Sequence, residues 1–235
     1  MRALISVYDK ENIVEFAKEL EDLGWEIIST GGSFKKLKEA GVKVKEVSSV
    51  TNFPEILGGR VKTLHPFIHG GILFRRDNED DVKTLKEQGI ESIDMVVNSL
   101  YPFKEVVAKR SSHEDTIENI DIGGPSMIRA CAKNYKHCLI VTDKSQYDEV
   151  IKRLKEKTDT EDFRMKLAKE AFQLTATYDS LIADYFNTKA EEEFPEKLNK
   201  SYELVQELRY GENPHQKAAY YEDSTPFGKL ELKQL

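Results

Sequence analysis

Two basic residues directly after a double glycine are the first group in this sequence that could do chemistry. Residues 57–66 read LGGRVKTLHP, so Arg60 and Lys62 lie two positions apart in a chain whose formal net charge is −7. Glycines let a backbone approach a ligand closely, and two cations beside them are suited to an anion. A glycine turn with a solvated basic face is the other interpretation, and this stretch alone does not choose between them.

A second glycine segment, STGGS at residues 29–33, connects a predicted strand to a predicted helix. Backbone N–H groups there could converge on an anion at the positive end of the helix dipole, and Ser29, Thr30 and Ser33 could add hydroxyl donors. The spacing is neither that of a P-loop nor that of a dinucleotide-binding fingerprint. A simple turn with Ser33 as the helix cap is an equal alternative. Lys10, which follows the first predicted strand, falls at the same sheet edge and could face the same anion.

The richest segment is residues 121–134, DIGGPSMIRACAKN. Asp121 precedes a glycine turn and a predicted helix, where it could serve only as a cap. Arg129 and Lys133 are four residues apart and therefore share a helix face. A cationic pair on one face usually means solvent exposure, but the rest of this helix is largely apolar. We therefore expect its few charges to have a function.

The histidines and cysteines give weaker signals. His65 and His69 have i, i+4 spacing, but they fall in a segment expected to be a loop and lack the H-E-x-x-H pattern, so a zinc site is a poor interpretation. Cys131 and Cys138 are expected to be buried free thiols of a reducing compartment, not a disulfide or a metal site. No G-x-S-x-G nucleophile motif is present.

The elements that must position these residues alternate between strand and helix. Strands are expected at residues 3–7, 25–29, 42–47, 93–99 and 138–142, and helices at 11–23, 34–40, 78–88, 116–120, 126–134, 144–155 and 162–187. This order predicts an α/β domain with a doubly wound parallel sheet over about residues 1–190. Ligands bind at the carboxyl ends of such strands, where the loops described above fall. Residues 48–76 show little regular pattern and are expected to be irregular and functional.

The composition argues against several classes of function. Hydrophobic residues make up 39% and charged residues 33%, as in an ordinary globular protein, and the acidic balance argues against nucleic-acid binding. No apolar run approaches the roughly 20 residues that cross a membrane, and the first residues read as a strand rather than a signal peptide. We therefore expect a cytoplasmic protein that binds a small anionic ligand, with neither nucleic acid nor membrane as a partner.

Six motifs occur in a fixed order along the chain: GGRVKTLHP, HGGIL, LYPF, IDIGGPSMIRACAKN, YDSLIADYF and LRYGENPHQ. Together they closely resemble the family of bifunctional purine-biosynthesis proteins that join IMP cyclohydrolase to AICAR transformylase. The resemblance covers nearly the whole chain. It implies a methylglyoxal-synthase-like cyclohydrolase domain at residues 1–190 with a helical C-terminal extension, a linker at 191–206, and the beginning of a truncated transformylase domain at 207–235. Arg209 and Tyr210 match transformylase-side contacts with the substrate.

The implied activity is closure of the purine ring in the last step of de novo purine biosynthesis. The carboxamide nitrogen of FAICAR attacks the formyl carbon of the same molecule, and loss of water gives IMP. By resemblance Asp121 accepts the nitrogen proton, Lys133 donates to the formyl oxygen, and Lys62 and Tyr101 orient the carboxamide or stabilise charge. Asp121, with an ordinary pKa of about 3.9, would be a better base in a dry pocket. The resemblance implies substrate contacts from Lys10, Ser29, Thr30, Gly31, Gly32, Ser33, Arg60, Val61, Thr63, Asn98, Ser99, Ile122, Gly123 and Gly124.

The resemblance implies no metal or cofactor for ring closure. The co-substrate 10-formyltetrahydrofolate would serve only the missing transformylase domain, and a homodimer is possible. Two departures from the family pattern leave questions open: Tyr8 replaces a small hydroxyl residue, and Ser99 takes the usual Asn position with Asn98 before it. A methylglyoxal synthase and a non-catalytic phosphate-ligand-binding module of the same fold are the alternative functions.

Overall fold

The computed structural model of the chain describes residues 1–190, 194–213 and 215–225. The chain divides into two compact units. The first consists of Met1–Tyr101 with Asp121–Thr175, and the second of Pro102–Ile120 with the described residues from Ala176 onward. All the residues predicted for ring closure belong to the first unit, whereas Arg209 and Tyr210 belong to the second.

A five-stranded parallel sheet forms the centre of the first unit. Its strands are β1 (Arg2–Val7), β2 (Glu26–Ser29), β3 (Val44–Glu46), β4 (Met95–Ser99) and β5 (Leu139–Val141). Their order is β3-β2-β1-β4-β5. The central strands β1 and β4 are almost wholly buried, as expected where helices cover both faces of a sheet. The predicted doubly wound α/β fold is confirmed.

The strand order places a topological switch point between β1 and β4. The chain builds outward from β1 through β2 to β3 and then returns to the other side of β1 with β4 and β5. Val7 pairs with Ser99, so the carboxyl ends of the two strands lie side by side. The loops after them diverge, and a crevice opens where ligands of such sheets bind.

Helices follow most strands at the expected places. The described helices are α1 (Ile13–Asp22), α2 (Gly31–Glu39), α3 (Val47–Thr51), α4 (Pro66–Leu73), α5 (Glu79–Gln88), α6 (Phe103–Ala108), α7 (His113–Glu118), α8 (Gly123–Lys133), α9 (Tyr147–Glu156) and α10 (Glu161–Lys189). Short 3₁₀ turns occur at Leu57–Gly59 and Lys144–Gln146. Helix α6 was not predicted from the sequence. No helix of the described residues is long and apolar enough to cross a membrane.

The prediction that residues 48–76 are irregular is wrong in part. Helix α3 is rich in β-branched residues, which have low helix propensity, and it forms because Val47 is buried and Thr51 Oγ1 donates to the Val47 carbonyl oxygen at 3.2 Å. Helix α4 begins with Pro66 in its first turn, and the Phe67 N–H donates to Nδ1 of His65 at 3.1 Å. His69 therefore lies on a helix, and His65 is the cap residue directly before it.

Helix α2 begins earlier than the sequence indicated. Thr30 is extended and occupies the cap position, whereas Ser33 lies inside the helix. Ser33 is therefore not the cap, and its hydroxyl is buried against β1. The two glycines thus form the first turn of α2 and present their backbone N–H groups there.

The second unit contains a two-stranded antiparallel sheet, β6 (Tyr202–Leu208) and β7 (Ala218–Asp223). Phe103 of α6 is buried and packs edge-on against the rings of Tyr178 and Tyr185. Strand β6 starts within the stretch predicted as a linker. Parts of the predicted linker and transformylase segments, residues 191–193, 214 and 226–235, lie outside the described residues, and these domain boundaries stay a prediction.

The two cysteines are buried free thiols, as the sequence indicated. Cys131 Sγ lies 3.0 Å from Cys138 Sγ. This contact joins the last part of α8 to the residue before β5. Burial raises the pKa of the Cys131 thiol well above its ordinary value. The pair therefore behaves as apolar core between helix and sheet.

Glycine at position 71 fixes α4 against the strand that carries part of the crevice. A methyl group at Gly71 would lie 2.6 Å from the Glu91 carbonyl oxygen, and the Ile93 N–H donates to the Gly71 carbonyl oxygen at 2.9 Å. The neighbouring Gly70 faces the end of the Ile90 side chain, 3.2 Å from such a methyl group. The two adjacent glycines of one helix therefore differ in what a methyl group would meet.

Gly71→Ala should lower the free energy of unfolding by about 1–3 kcal/mol, because backbone must move to admit the methyl group. Gly70→Ala, the matched control, should change it by no more than about 1 kcal/mol, since a flexible side chain can yield and alanine favours the helix. Urea unfolding followed by circular dichroism measures both. Equal effects of the two substitutions would contradict the packing argument.

Candidate active site

Four glycines at the crevice bring predicted site residues together, because each has a polar side chain within 4 Å of the position that a Cβ would occupy. A Cβ at Gly31 would lie 3.7 Å from Lys62 Nζ, and one at Gly32 would lie 3.1 Å from Lys10 Cε. A Cβ at Gly123 would lie 2.8 Å from Thr63 Oγ1. At Gly124 it would collide with the Asp121 carboxylate and lie 3.0 Å from Asn98 Oδ1. Segments far apart in sequence therefore meet at the carboxyl ends of β1, β2 and β4.

The start of α2 forms the anion-facing side of the crevice. Gly31 and Gly32 are exposed, and the ammonium groups of Lys10 and Lys62 lie beside them. The hydroxyls of Ser29 and Ser33 donate inward, to the carbonyl oxygens of Ile5 at 2.6 Å and Val7 at 2.9 Å. An anion here would therefore meet backbone N–H groups and ammonium groups first.

The loop after β1 carries an aromatic pair. The rings of Tyr8 and Tyr101 meet edge-on with centroids 5.9 Å apart. Lys10 Nζ donates to the Tyr8 carbonyl oxygen at 3.0 Å and lies 5.7 Å from the Tyr8 ring. Tyr8 is half exposed, so the residue that departs from the family pattern packs on a predicted catalytic side chain.

Asp121 is held at the first turn of α8. The Gly124 N–H donates to Asp121 Oδ1 at 2.8 Å, and the Tyr101 N–H donates to the same carboxylate. Burial raises the pKa of Asp121; the two backbone hydrogen bonds and the positive charge of Lys62 oppose this without cancelling it. The carboxylate is therefore a stronger base than an exposed aspartate, which is the condition that proton abstraction requires.

The two residues at the end of β4 have different surroundings. Ser99 Oγ accepts the N–H groups of Tyr8 at 2.9 Å and Asp9 at 3.3 Å, so it fixes the loop after β1. Asn98 is only 2% exposed and points toward Gly124. Their side chains alternate across the strand, as residues of a strand must, and only Asn98 faces α8.

The basic segment has an unusual backbone. Leu57, Gly58 and Gly59 have φ values of 54°, 62° and 92°, a run in the left-handed region that is costly for leucine. Hydrogen bonds between Ile56 and Val61 close this turn. The turn directs Lys62 back toward α2, whereas Arg60 is exposed.

Glu55 is a residue of this region that sequence reasoning missed. Its Oε2 lies 3.8 Å from Lys62 Nζ, and its Oε1 would lie 2.8 Å from a Cβ at Gly59. An acidic residue in a proline-containing segment carries no signal of such a partner. Its contact with Lys62 depends on the left-handed turn that lies between them in sequence.

Lys133 is not brought together with the other predicted catalytic residues. It ends the 11-residue helix α8, which Gly123 begins. A rise of 1.5 Å per residue separates the two ends by about 15 Å. Lys133 instead lines a groove of about 1110 Å³ between α4, α8 and α10, together with Arg129, His65 and His69. Burial lowers the pKa of His69.

The comparisons with known proteins agree with this geometry. Residues 12–126 match the family model described as the MGS-like domain, and residues 131–235 match that of the AICARFT/IMPCHase bienzyme. The bifunctional purine biosynthesis protein PurH of Thermoanaerobacter sp. is 57% identical over 237 residues, which cover 100% of this chain and 47% of that protein. The PurH of Oceanobacillus iheyensis is 55% identical over 223 residues, 94% of this chain and 44% of that protein.

A solved structure is similar over most of the chain. The structure titled "Crystal structure of ForH" has a TM-score of 0.70 and 35% sequence identity, and the match covers 79% of this chain and 98% of that chain. The chain belongs to the PurH family. The family predicted from the ordered motifs and the methylglyoxal-synthase-like fold are thereby confirmed.

The relatives named above are bifunctional purine biosynthesis proteins, and the PurH family is a family of enzymes. The chain spans less than half the length of the two PurH proteins named above. Whether it carries either of the family's two activities therefore has to be argued from its own site. The crevice in the first unit is the basis for that argument.

The raised pKa of Asp121 has a consequence for stability that can be measured. The folded chain binds this proton more tightly than the unfolded chain, so the contribution of Asp121 is favourable at low pH and is lost as the pH rises through the folded-state pKa. The free energy of unfolding of the wild type minus that of Asp121→Asn should therefore fall as the pH rises above about 4 and then level off. Urea unfolding at several pH values measures the difference.

Asp148→Asn, at an exposed position of α9, controls for the loss of one negative charge. A wild-type advantage that grows with pH over this range would show that Asp121 is stabilised as the carboxylate and would contradict the assignment.

Proposed function

We propose that this chain is an IMP cyclohydrolase, which closes the purine ring of FAICAR to give IMP and water. The observation that carries the proposal is the Asp121 carboxylate, which has a raised pKa, two backbone hydrogen bonds and the Lys62 charge within electrostatic reach. A base of this kind beside a cation at the switch point suits a reaction that removes a nitrogen proton while an oxygen gains negative charge.

The nucleophile and the electrophile belong to the same substrate molecule in this reaction, so the substrate itself supplies much of their proximity. The site has to hold the carboxamide and the formyl group face to face. Asp121 accepts a proton from the carboxamide nitrogen as the new C–N bond forms. Lys62 stabilises the negative charge that develops on the formyl oxygen, and Tyr101 orients the reacting groups.

The phosphate of the ribotide fits the start of α2. The exposed Gly31 and Gly32 turn and the ammonium groups of Lys10 and Lys62 together provide the positive potential that a phosphate dianion requires. The bare Cα atoms of Gly123 and Gly124 admit the side chains of Thr63 and Asp121 to the first turn of α8, beside which the purine is placed in this proposal. In this proposal Lys62 lies between the phosphate end and the reacting end of the ligand.

Two parts of the proposal rest on family resemblance alone. Lys133 as proton donor remains a prediction, because its own α8 separates it from Asp121. The transformylase contacts of Arg209 and Tyr210 also remain predictions. We do not expect AICAR formylation from this chain, whose second unit contains a single two-stranded sheet within the described residues.

Incubation of the purified chain with FAICAR should produce IMP faster than the spontaneous reaction, as followed by ultraviolet absorbance. Asp121→Asn should lower kcat at least about 100-fold, as expected for loss of a general base, while an IMP-like ligand still binds. AICAR with 10-formyltetrahydrofolate should give no FAICAR.

If the wild type does not accelerate the reaction, the cyclohydrolase hypothesis is excluded. Binding of IMP in a titration would then support the alternative of a non-catalytic binding module. Formation of methylglyoxal from dihydroxyacetone phosphate would instead support the methylglyoxal synthase alternative. Equal losses of kcat and ligand affinity in Asp121→Asn would make that residue a binding group and not a base.

Substitutions of Arg60 and Lys62 should affect different kinetic constants. Arg60→Ala should mainly raise KM, because its exposed guanidinium can act on the nucleotide only in binding. Lys62→Ala should mainly lower kcat, because its charge acts on Asp121 and on the developing oxyanion. Lys43→Ala, which removes an exposed cation just before β3 at the opposite edge of the sheet, is the control. A KM effect alone for Lys62→Ala would contradict its catalytic role.

A further inference from the structure

Glu55 places a negative charge in the part of the crevice that has to attract an anion. Its Oε2 lies 3.8 Å from Lys62 Nζ, and the same ammonium group lies 3.7 Å from the position that a Cβ on Gly31 would occupy. A carboxylate at this range weakens the positive potential that a phosphate would meet at the start of α2. Anion binding alone therefore gives no reason for an acidic residue here, and the local backbone indicates what Glu55 does.

A short hairpin sets Glu55 opposite Lys62. Ile56 and Val61 exchange backbone hydrogen bonds, at 3.1 Å from the Ile56 N–H to the Val61 carbonyl oxygen and at 3.4 Å in the other direction. Glu55 and Lys62 form the next pair outward in the same register. Opposite charges on facing positions of two antiparallel segments attract each other. The pairing of the two side chains therefore follows from the register of the backbone.

The turn between the two residues is built closely around the carboxylate. Glu55 Oε1 would lie 2.8 Å from a Cβ at Gly59, whose φ is 92°, so the carboxylate occupies space that a side chain at this position would fill. Leu57 keeps a left-handed φ of 54°, which a leucine seldom adopts. Residues strained in this way are concentrated at functional sites. The contact between Glu55 and Lys62 is a direct consequence of this strained turn.

We propose that Glu55 is a positioning residue, whose carboxylate holds the Lys62 ammonium group beside the start of α2 and within reach of the reacting groups. The inference rests on the proposed function, in which Lys62 stabilises the negative charge that develops on the formyl oxygen. Glu55 does not contact the substrate and acts only through Lys62. It weakens the attraction for the phosphate, but it keeps a cation in place before the oxygen gains its charge.

Lys62 needs such a partner because its own side chain does not fix the ammonium group. The group is a point charge at the end of a flexible four-carbon stem. Its charge also reaches Asp121, where burial raises the pKa and the Lys62 charge opposes that rise. Full pairing of Lys62 with Asp121 would weaken the base and withdraw the cation from the formyl oxygen. Attraction by Glu55 competes with that pairing and so preserves both groups for the reaction.

A rival interpretation is a surface ion pair without a role in the reaction. Lys35 and Glu39 form a pair of that kind, since their charged groups are 4.0 Å apart and their side chains are 77% and 67% exposed. Such pairs contribute little. Lys62, by contrast, has only 26% of its side chain exposed. Glu39 is the last residue of α2, so Glu39→Gln is a matched control for the removal of one negative charge.

The test follows cyclisation of FAICAR by Glu55→Gln, which keeps the shape of the side chain and removes its charge, in the wild-type and Lys62→Ala backgrounds. In the wild-type background we expect kcat to fall about three- to fivefold, the upper end of what a partly exposed ion pair contributes. The affinity for IMP, measured calorimetrically, should rise about twofold, because one negative charge near the phosphate is removed. In the Lys62→Ala background Glu55→Gln should change kcat less than about 1.5-fold, since the residue through which it acts is absent. Glu39→Gln should change neither constant by more than about 1.5-fold.

A fall in kcat of the same size in the two backgrounds would show that Glu55 does not act through Lys62 and would overturn the inference. A loss of IMP affinity in Glu55→Gln would also overturn it, because that result is expected if the residue only supports the turn. Kinetics of Glu55→Gln that match those of Glu39→Gln would make the pair a surface contact without a role. In each of these cases a wild type that cyclises FAICAR leaves the proposed function standing. If the wild type does not cyclise FAICAR, the proposed function fails and the inference fails with it.

Discussion

The close approach of a carboxylate to the first turn of α8 is the constraint on which the site depends. The Gly124 N–H donates to Asp121, and only a hydrogen atom fits on the Gly124 Cα, because a methyl group would collide with that carboxylate. The bond holds Asp121 in a partly buried position that an exposed loop would not provide. Burial then raises the pKa of the carboxylate, so one packing contact sets both the position and the basicity of the group.

The sheet topology brings the other segments of the site to the edge at which α8 starts. The switch point between β1 and β4 places the loops after Val7 and Ser99 beside each other, and α8 starts at the same edge. Lys62 reaches this edge from another part of the chain because three successive left-handed residues turn the basic segment toward α2. A phosphate-type site and a carboxylate base thus come to share one crevice, although they lie about 90 residues apart in sequence.

The sequence could predict the parts of this arrangement that depend on local pattern. Apolar runs marked β1 and β4, and the glycine segments marked the starts of α2 and α8, because strand burial and glycine turns leave clear local signals. It could not predict α3, whose β-branched residues favour a strand and which becomes a helix only through tertiary packing. The Glu55–Lys62 contact and the separation of Lys133 from Asp121 depend on turn geometry and helix length, which motif spacing alone does not reveal.

Three features that weaken the fold occur at the crevice. Leu57 takes a left-handed backbone conformation, burial raises the pKa of Asp121, and among the described residues no donor reaches the buried Oδ1 of Asn98. Elsewhere in the first unit, buried Asn134 has its partners, whereas Arg76 Nη1 is a second buried atom without one among the described residues. Stability alone would select against each of these three features, and no shared structural need links a turn, a helix start and a strand end.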